Sequence, residues 1–263
     1  MGDPLVSIVV PCYGGERFIQ ASLESCLNQT YRNIEIIYVD DCSPDRSIEI
    51  AREVAARDPR VHIVQRSTNG GISRAFNTGY AVAKGTYFTR LAQDDVYYPN
   101  AIDTMVRFFG ACPPDVGLIY GGMDQIDEDG NVVKMLPINP PATGLLPADR
   151  IGLAVMWRAD VARKIGEFDP RMDCAEDYDY WLRIAVRYRI AKIDGPPLLG
   201  YRRHPNQTII RKNRQFNSSY IRARARYFWQ TRQWTRWARA SVSLAAWNIF
   251  GISVGRRAQE GLN

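Results

Sequence analysis

Three pairs of neighbouring acids carry the most chemistry in this sequence: Asp40-Asp41 in DDCS, Asp94-Asp95 in QDDV, and Glu176-Asp177, with Asp179 close behind. A carboxylate can accept hydrogen bonds from a base or a ribose. Beside a diphosphate it would repel the phosphates unless a divalent cation lay between them, and hard cations favour oxygen ligands. Asp94-Asp95 is therefore a candidate Mg²⁺ or Mn²⁺ site, where the metal would neutralise charge on a departing diphosphate. Glu176-Asp177 opens a helical pattern. An acid there is favoured by the helix dipole, and its functional reading is a general base that takes a proton from an acceptor hydroxyl. Plainer alternatives stand beside both: a solvated turn for Asp94-Asp95, and simple capping for Glu176 and Asp177.

These acids gain meaning from the elements that must hold them. LVSIVV (5–10) is a β-branched apolar run stopped by Pro11, which reads as a buried strand. A helix is expected over 16–28, a second strand at IEIIYVD (34–40), and a helix after the start signal Ser43-Pro44-Asp45. VHIVQ (61–65) predicts a third strand, 72–83 a helix ended by Gly85, and TYFTRLA (86–92) a fourth strand. Successive β-then-α units imply a parallel sheet with right-handed crossovers. In such sheets ligands sit beyond the carboxyl ends of the strands. That rule points to Pro11–Gly15, Asp40–Ser43 and Gln93–Asp95, two of which carry the paired acids. Further on, a helix over 99–109, a strand over 117–122 and a hairpin turn at Asp129-Gly130 are expected. A proline-rich loop spans Pro137 to Pro147. The GEFDP turn precedes a helix over AEDYDYWLRIAVRY, and LLGYRRHP reads as a strand running into a loop.

The chain has 263 residues, enough for one large α/β domain with a small appendage. Five cysteines without a CxxC pair give no metal cluster or disulfide framework, so they read as small buried thiols of a reducing compartment. The N-terminal segment lacks the basic start and long apolar run of a secretory signal. Charge is unevenly spread. Between Gly195 and Gln259 there are thirteen Lys and Arg and no Asp or Glu, so the preceding body is net acidic although the whole chain is +6. A basic tail suggests an anionic partner such as a membrane surface, a lipid phosphate or nucleic acid. The alternative is that its arginines pair with the acidic body. In the tail, Tyr220, Ala223, Tyr227, Trp234 and Trp237 follow one helical face, with Arg222, Arg226, Arg232 and Arg236 mostly off it. Val242 to Val254 is apolar but too short to span a bilayer.

From Val6 to about Pro205 the sequence resembles family 2 glycosyltransferases, which have the GT-A fold. VSIVVPCYGGERFIQASLESCLNQTYRNIEIIYVDDCSPD is similar to the family's opening block. NGGISRAFNTGYAVAKGTYFTRLAQDD is similar to its second block, leading into the metal motif, and GEFDPRMDCAEDYDYWLRI followed by YRRHP to its third. The resemblance implies an α/β, Rossmann-like, mainly parallel sheet with flanking helices and a C-terminal helical appendage. It divides the chain into a catalytic domain over 1–210, with a nucleotide-binding half over 1–97 and an acceptor half over 98–210, and a basic, Trp-rich tail over 211–263.

The resemblance also implies roles. Tyr13 would stack on the nucleobase, with Pro11 lining the pocket. Asp41 would hydrogen-bond the base, and Asp40 would support that loop or the ribose. Asn69, Gly71, Arg74 and Asn77 would form a wall near the ribose and diphosphate, and Gln93 would join the nucleotide site. Asp94 would hold the metal, aided by Asp95 and His204. Asp177 would be the catalytic base, with Glu176 and Trp181 on the acceptor side. Two departures stand out: Ala92 replaces the first Asp of the DXD metal motif, and Gly14-Gly15 replaces the usual Asn-rich turn after the tyrosine. Gln233-Trp234-Thr235-Arg236-Trp237 spells the QxxRW of processive synthases, but it lies far beyond Asp177 and reads as coincidence.

The expected activity is an inverting, Mn²⁺- or Mg²⁺-dependent transfer from a nucleotide diphosphate-sugar, a UDP-sugar first, to a saccharide or lipid-linked acceptor in surface polysaccharide or glycolipid synthesis. A polyprenyl-phosphate glycosyltransferase and a nucleotide-sugar-binding protein without turnover are the alternatives. A cytoplasmic protein resting peripherally on the inner membrane face through 211–263, and a homo-oligomer, are compatible with this reading. A nucleic-acid partner is not expected, because no recognised motif supports one. A dinucleotide oxidoreductase is disfavoured, since no GxGxxG follows the first strand.

Overall fold

In the computed structural model of the protein, which describes residues 2–136, 151–172, 174–205, 207, 213–238 and 240–241, the first strand is β1 (Val6–Cys12). It continues through Pro11 instead of stopping before it. The Val9 carbonyl accepts the Leu91 N–H, so Val9 and Pro11 face the same neighbouring strand, and the pairing on that side ends at Val9. Proline's missing N–H therefore costs the ladder nothing. β1 pairs in parallel with β2 (Ile34–Asp40), and β2 with β3 (Val61–Gln65). On its other side β1 pairs in parallel with β4 (Tyr87–Arg90).

The helices between these strands cover both faces of the sheet. α1 (Ile19–Leu27) and α2 (Ser47–Ala55) pack on one face, and α3 (Ile72–Val82) on the other. β1 and β2 are buried on both sides, which explains their unbroken apolar runs. Period-two alternation sorts them: Ile34, Ile36 and Tyr38 join one core, Ile37 and Val39 the other. Gly85 does not end α3, which stops at Val82 with Ala83 already extended. Gly85 is instead a point of close approach. A β-carbon there would stand 2.6 Å from the Ser7 hydroxyl, which accepts the Gly85 N–H at 2.8 Å.

Beyond β4 come β5 (Val96–Tyr97), α4 (Ala101–Ala111), β6 (Val116–Tyr120), β7 (Met123–Ile126), β8 (Val132–Leu136), β9 (Val155–Arg158), α5 (Ala159–Ile165), α6 (Glu176–Ala185), β10 (Arg189–Lys192) and β11 (Leu199–Arg202). The described strands form a seven-stranded sheet, ordered β10-β6-β9-β4-β1-β2-β3, in which β9 is antiparallel to both neighbours. A four-stranded sheet, β5-β11-β7-β8, stands beside it. β7 and β8 make the expected hairpin, closed by Asp127 and by Gly130 at φ +93°. The proline-rich stretch expected over 137–147 lies outside the described residues.

Two side chains pin the second half to the first. Gln29 is fully buried at the end of α1; it donates to the Tyr98 carbonyl at 2.9 Å and accepts the Ile102 N–H at 3.0 Å, fixing the segment between β4 and α4. Asn77 of α3 donates to the Phe168 carbonyl at 2.9 Å and accepts the Phe168 N–H at 2.8 Å. It thereby ties the GEFDP turn to α3. Beneath this turn lies an aromatic cluster in which Phe168 stacks on Tyr180 at 4.0 Å and Trp157 meets Trp181 at 5.1 Å.

Helix α7 (Asn213–Gln230) begins the region expected to be an appendage, but it is docked on the body. Tyr220 stacks on Tyr178 at 4.1 Å, and Ala223, Tyr227 and Phe228 are buried in the same core as α6. Arg226, expected on the open face, points inward and bridges Asp169 at 2.8 Å and Asp179 at 2.9 Å. Among the described residues this part of the tail follows the plainer alternative, with arginine pairing to the acidic body.

Two outcomes are expected. Asp179 is 1% exposed, and Arg226→Ala would leave it with only Arg183. A loss of about 2 kcal/mol in urea unfolding is expected. Arg171 and then Arg226 hold the Asp169 carboxyl well below its ordinary range. Stabilisation from a depressed carboxyl is fully present above the unfolded value of about 4 and fades as pH falls toward the folded one. The gap between wild type and Arg226→Ala should therefore narrow below about pH 4. Asn77→Ala should cost about 1–3 kcal/mol in urea unfolding by unpairing the Phe168 backbone.

Candidate active site

β1, β2, β3 and β4 all end at one edge of the large sheet, and the segments that follow them are bonded to one another there. The Asp41 N–H donates to the Cys12 carbonyl at 2.8 Å. Gln93 and Tyr13 exchange hydrogen bonds: the Tyr13 N–H reaches Gln93 Oε1 at 2.7 Å, and Gln93 Nε2 reaches the Tyr13 carbonyl at 3.3 Å. This leaves the Tyr13 ring as a platform, 51% exposed, above the buried Pro11. The Gly14-Gly15 turn is held from the next segment, with Gly14 N–H on Ser43 Oγ and Gly15 N–H on Ser47 Oγ.

Asp40 and Asp41 are both buried. Asp40 accepts the Tyr38 hydroxyl at 3.3 Å and the Ser43 N–H at 3.2 Å, which fixes the turn after β2. Asp41 accepts the N–H groups of Gly70 and Gly71 at 2.8–3.2 Å. Arg66 Nε stands 2.8 Å from it as a charge contact without hydrogen-bond alignment. Asp41 thereby braces the loop at the start of α3. Gly71, at φ +82°, supplies the left-handed turn that aims its N–H at Asp41. Asn69 Oδ1 also accepts that N–H, and Arg74 bonds the Gly70 carbonyl. Both are exposed at the same edge. Asn77 is different: both polar ends of its amide are used on Phe168, so it fastens the GEFDP turn.

Asp94 and His204 meet across 110 residues of sequence, with Nε2 to Oδ2 at 3.0 Å. Arg202 makes this possible. Its N–H donates to Asp95 Oδ1 at 2.9 Å, its Nε to the Asp94 carbonyl at 2.8 Å, and its Nη1 to the carbonyls of Asp127 and Glu128. Asp95 is 1% exposed, and its other oxygen has no hydrogen-bond partner. Burial first, and the neighbouring Asp94 charge second, push its pKa well above the carboxylate range. Asp95 thus clamps β11; among the described residues no three His, Cys, Asp or Glu side chains are grouped to hold a metal ion by themselves. Asp94 and His204 do fit a hard cation, provided that its remaining ligands are substrate oxygens or water. Ala92 does not disturb the turn, which is held through its carbonyl by the Asp95 N–H and Ser22 Oγ.

Asp177 sits in the first turn of α6, its Oδ1 on the Tyr178 N–H at 2.7 Å and its Oδ2 3.1 Å from Arg90 Nη1. Arg90 is the last residue of β4, so this contact brings Asp177 to the sheet edge that carries Tyr13 and Asp94. Glu176 is buried, 3.8 Å from the same guanidinium. Trp181, expected on the acceptor side, is 3% exposed and packed into the aromatic cluster. It lies on the face of α6 that covers the sheet. The residues missed by sequence reasoning are arginines: Arg66, Arg90 and Arg202. Arg90 carried a usable signal, since a charge inside the apolar strand TYFTRLA must find a partner when buried.

Comparisons with known proteins agree with this fold. A family profile described as Glycosyl transferase family 2 matches residues 7–153. An uncharacterised glycosyltransferase of Rickettsia conorii is 35% identical over 219 residues, covering 80% of this chain and 34% of that protein. The glycosyltransferase GlyG of Streptococcus pneumoniae is 39% identical over 128 residues, covering 48% of this chain and 42% of that one. The chain thus spans about a third of the length of the Rickettsia relative. Among solved structures, S. aureus TarS 1–349 in complex with UDP aligns at TM-score 0.71 and 17% identity, over 93% of this chain and 72% of that one. A mannosyltransferase from Pyrobaculum calidifontis in complex with GDP-Man and Mn²⁺ aligns at TM-score 0.63 and 17% identity, over 96% and 77%. With its mixed α/β sheet and flanking helices, the chain has the GT-A glycosyltransferase fold and belongs to glycosyl transferase family 2.

Proposed function

We propose that this glycosyltransferase moves a sugar from a UDP-sugar to an acceptor hydroxyl by one direct displacement with inversion, using Asp177 as base. The observation that carries the proposal is the meeting, at one sheet edge, of an exposed aromatic platform at Tyr13, the Asp94–His204 pair, and Asp177 anchored to β4 through Arg90. Tyr13 offers a face for base stacking. Asn69 and Arg74 stand exposed at the same sheet edge, with Arg74 available to the diphosphate. Asp177 holds each oxygen in one hydrogen bond and keeps a lone pair on each for an acceptor proton. Asp94 and His204 would hold Mn²⁺ or Mg²⁺, which would supply charge neutralisation for the leaving diphosphate. The complexes of TarS with UDP and of the mannosyltransferase with GDP-Man and Mn²⁺ support a nucleotide-sugar donor and a cation, with UDP favoured.

A lipid-linked acceptor presented at a membrane surface is favoured by a further observation. No helix among the described residues is long and apolar enough to cross a membrane. Yet Trp229 and Trp234 are 54% and 50% exposed, packed edge to face at 4.8 Å, beside exposed Arg232 and Arg236 in an acid-free stretch. Tryptophan at the interface with arginine on lipid phosphates suits an anionic bilayer.

A thermal-shift panel of UDP, dTDP, GDP and CMP with and without Mn²⁺ should show the largest rise for UDP plus Mn²⁺. Asp177→Asn should lose transfer by at least about 10³-fold while keeping UDP binding. Asp94→Ala should lose metal-stimulated activity, and full wild-type turnover in chelator would remove the cation from the mechanism. Because α7 is docked on the body, membrane binding is best tested by point changes and not by truncation. The Trp229→Ala, Trp234→Ala double variant should weaken flotation with phosphatidylglycerol vesicles by roughly tenfold or more, as expected for about 1.4 kcal/mol or more of lost burial. Unchanged flotation would rule out this surface.

A further inference from the structure

We propose that Arg90 is a positioning residue for catalysis: it fixes the plane of the Asp177 carboxylate and references it to the strand that feeds the cation loop. This rests on the reading of Asp177 as base. Arg90 closes β4 and lies four positions before Asp94. It is 5% exposed, with its guanidinium carbon 4.7 Å over the Phe76 ring. Burial works against its charge, yet Asp177 first and Glu176 second hold it more firmly protonated than a free arginine.

Of the two acids that Arg90 meets, the nearer is the more exposed one. Here Glu176 is the buried one, with a side chain 7% exposed, and it stands 3.8 Å away. The shorter contact, 3.1 Å, goes to Asp177, whose side chain is 28% exposed. The helix dipole already favours both acids in the first turn of α6, so helix formation does not require the cation. The contact does hold the carboxylate: Tyr178 N–H fixes Oδ1 and Arg90 fixes Oδ2, leaving little freedom about the Cβ–Cγ bond. Phe76 beneath the guanidinium restrains the donor in turn. A base held within a fraction of an ångström of productive geometry gains rate through orientation. The other end of the residue is fixed too, since the Tyr97 hydroxyl donates to the Arg90 carbonyl at 2.7 Å. β4 therefore orders the base through Arg90's side chain and the Gln93–Asp95 turn through its backbone. A lysine would keep the charge but lose the planar fork.

The test uses the full chain and compares Arg90→Lys, Arg90→Gln, Asp177→Asn and the Arg90→Gln, Asp177→Asn double variant. Each is measured for UDP affinity with Mn²⁺, donor KM and kcat. Arg90→Lys should fold and bind UDP as wild type does, with donor KM unchanged and kcat down about tenfold. Arg90→Gln should lose about 10²-fold in kcat, with lysine restoring part of it. In the Asp177→Asn background, adding Arg90→Gln should cost little more, because Arg90 acts through that carboxylate. Wild-type kcat in folded Arg90→Lys would overturn the proposal. So would a change in UDP affinity or donor KM matching the loss in kcat, or additive losses in the double variant. Normal turnover by Asp177→Asn would instead sink the base assignment itself, which keeps the two failures apart.

Discussion

Negative charge gathered at one edge of a sheet must be answered by cations or oriented N–H groups, and a set of long-range side-chain contacts in this structure does that. Asp41 is met by Gly70, Gly71 and Arg66, Asp95 by the Arg202 N–H, Asp94 by His204 and Asp177 by Arg90. Each answer comes from a different part of the chain. An unpaired carboxylate buried at this edge would be costly, so satisfying the acids also assembles the site. Stability and function are coupled here through the same interactions.

The aromatic cluster provides the rigid support for that arrangement. Phe76, Phe168, Tyr180, Trp157 and Trp181 come from α3, the GEFDP turn, α6 and β9, and they interlock beneath the start of α6. Large aromatic side chains give much buried area in a fixed geometry. Asn77 then ties the turn above them to α3 by two hydrogen bonds. The first turn of α6 therefore has little freedom to move relative to β1 and β4.

Helix α7 extends the same logic into the tail. Arg226 closes charge on Asp169 and on buried Asp179, and Tyr220 covers Tyr178, the neighbour of Asp177. A boundary drawn at residue 210 would part α7 from the core it shares with α6. The charge asymmetry of the sequence has two physical uses within one segment: some arginines turn inward to the acidic body, while Arg232 and Arg236 stay out beside Trp229 and Trp234.

Much of this was legible from residue order alone. Apolar runs of β-branched residues set β1, β2 and β3, helical periodicity set the helices between them, and the parallel arrangement placed DDCS and QDDV at the strand ends. Motif order then carried the family. These are local properties, dictated by backbone propensity and by which faces must be buried. Several matters were decided only by tertiary packing. Asp41 and Asp95 look as available as Asp94 in sequence, yet burial turns them into braces. Trp181 and Asn77 face the core and the GEFDP turn because α3 and α6 pack where they do. Arg90 and Arg202, ordinary charges in the sequence, become the pins of the site, since an arginine's partners depend on chain segments a hundred residues away. Local pattern can say that a carboxylate stands at a strand end. Only the folded chain, by supplying or withholding a partner for it, decides whether that carboxylate remains free for a substrate.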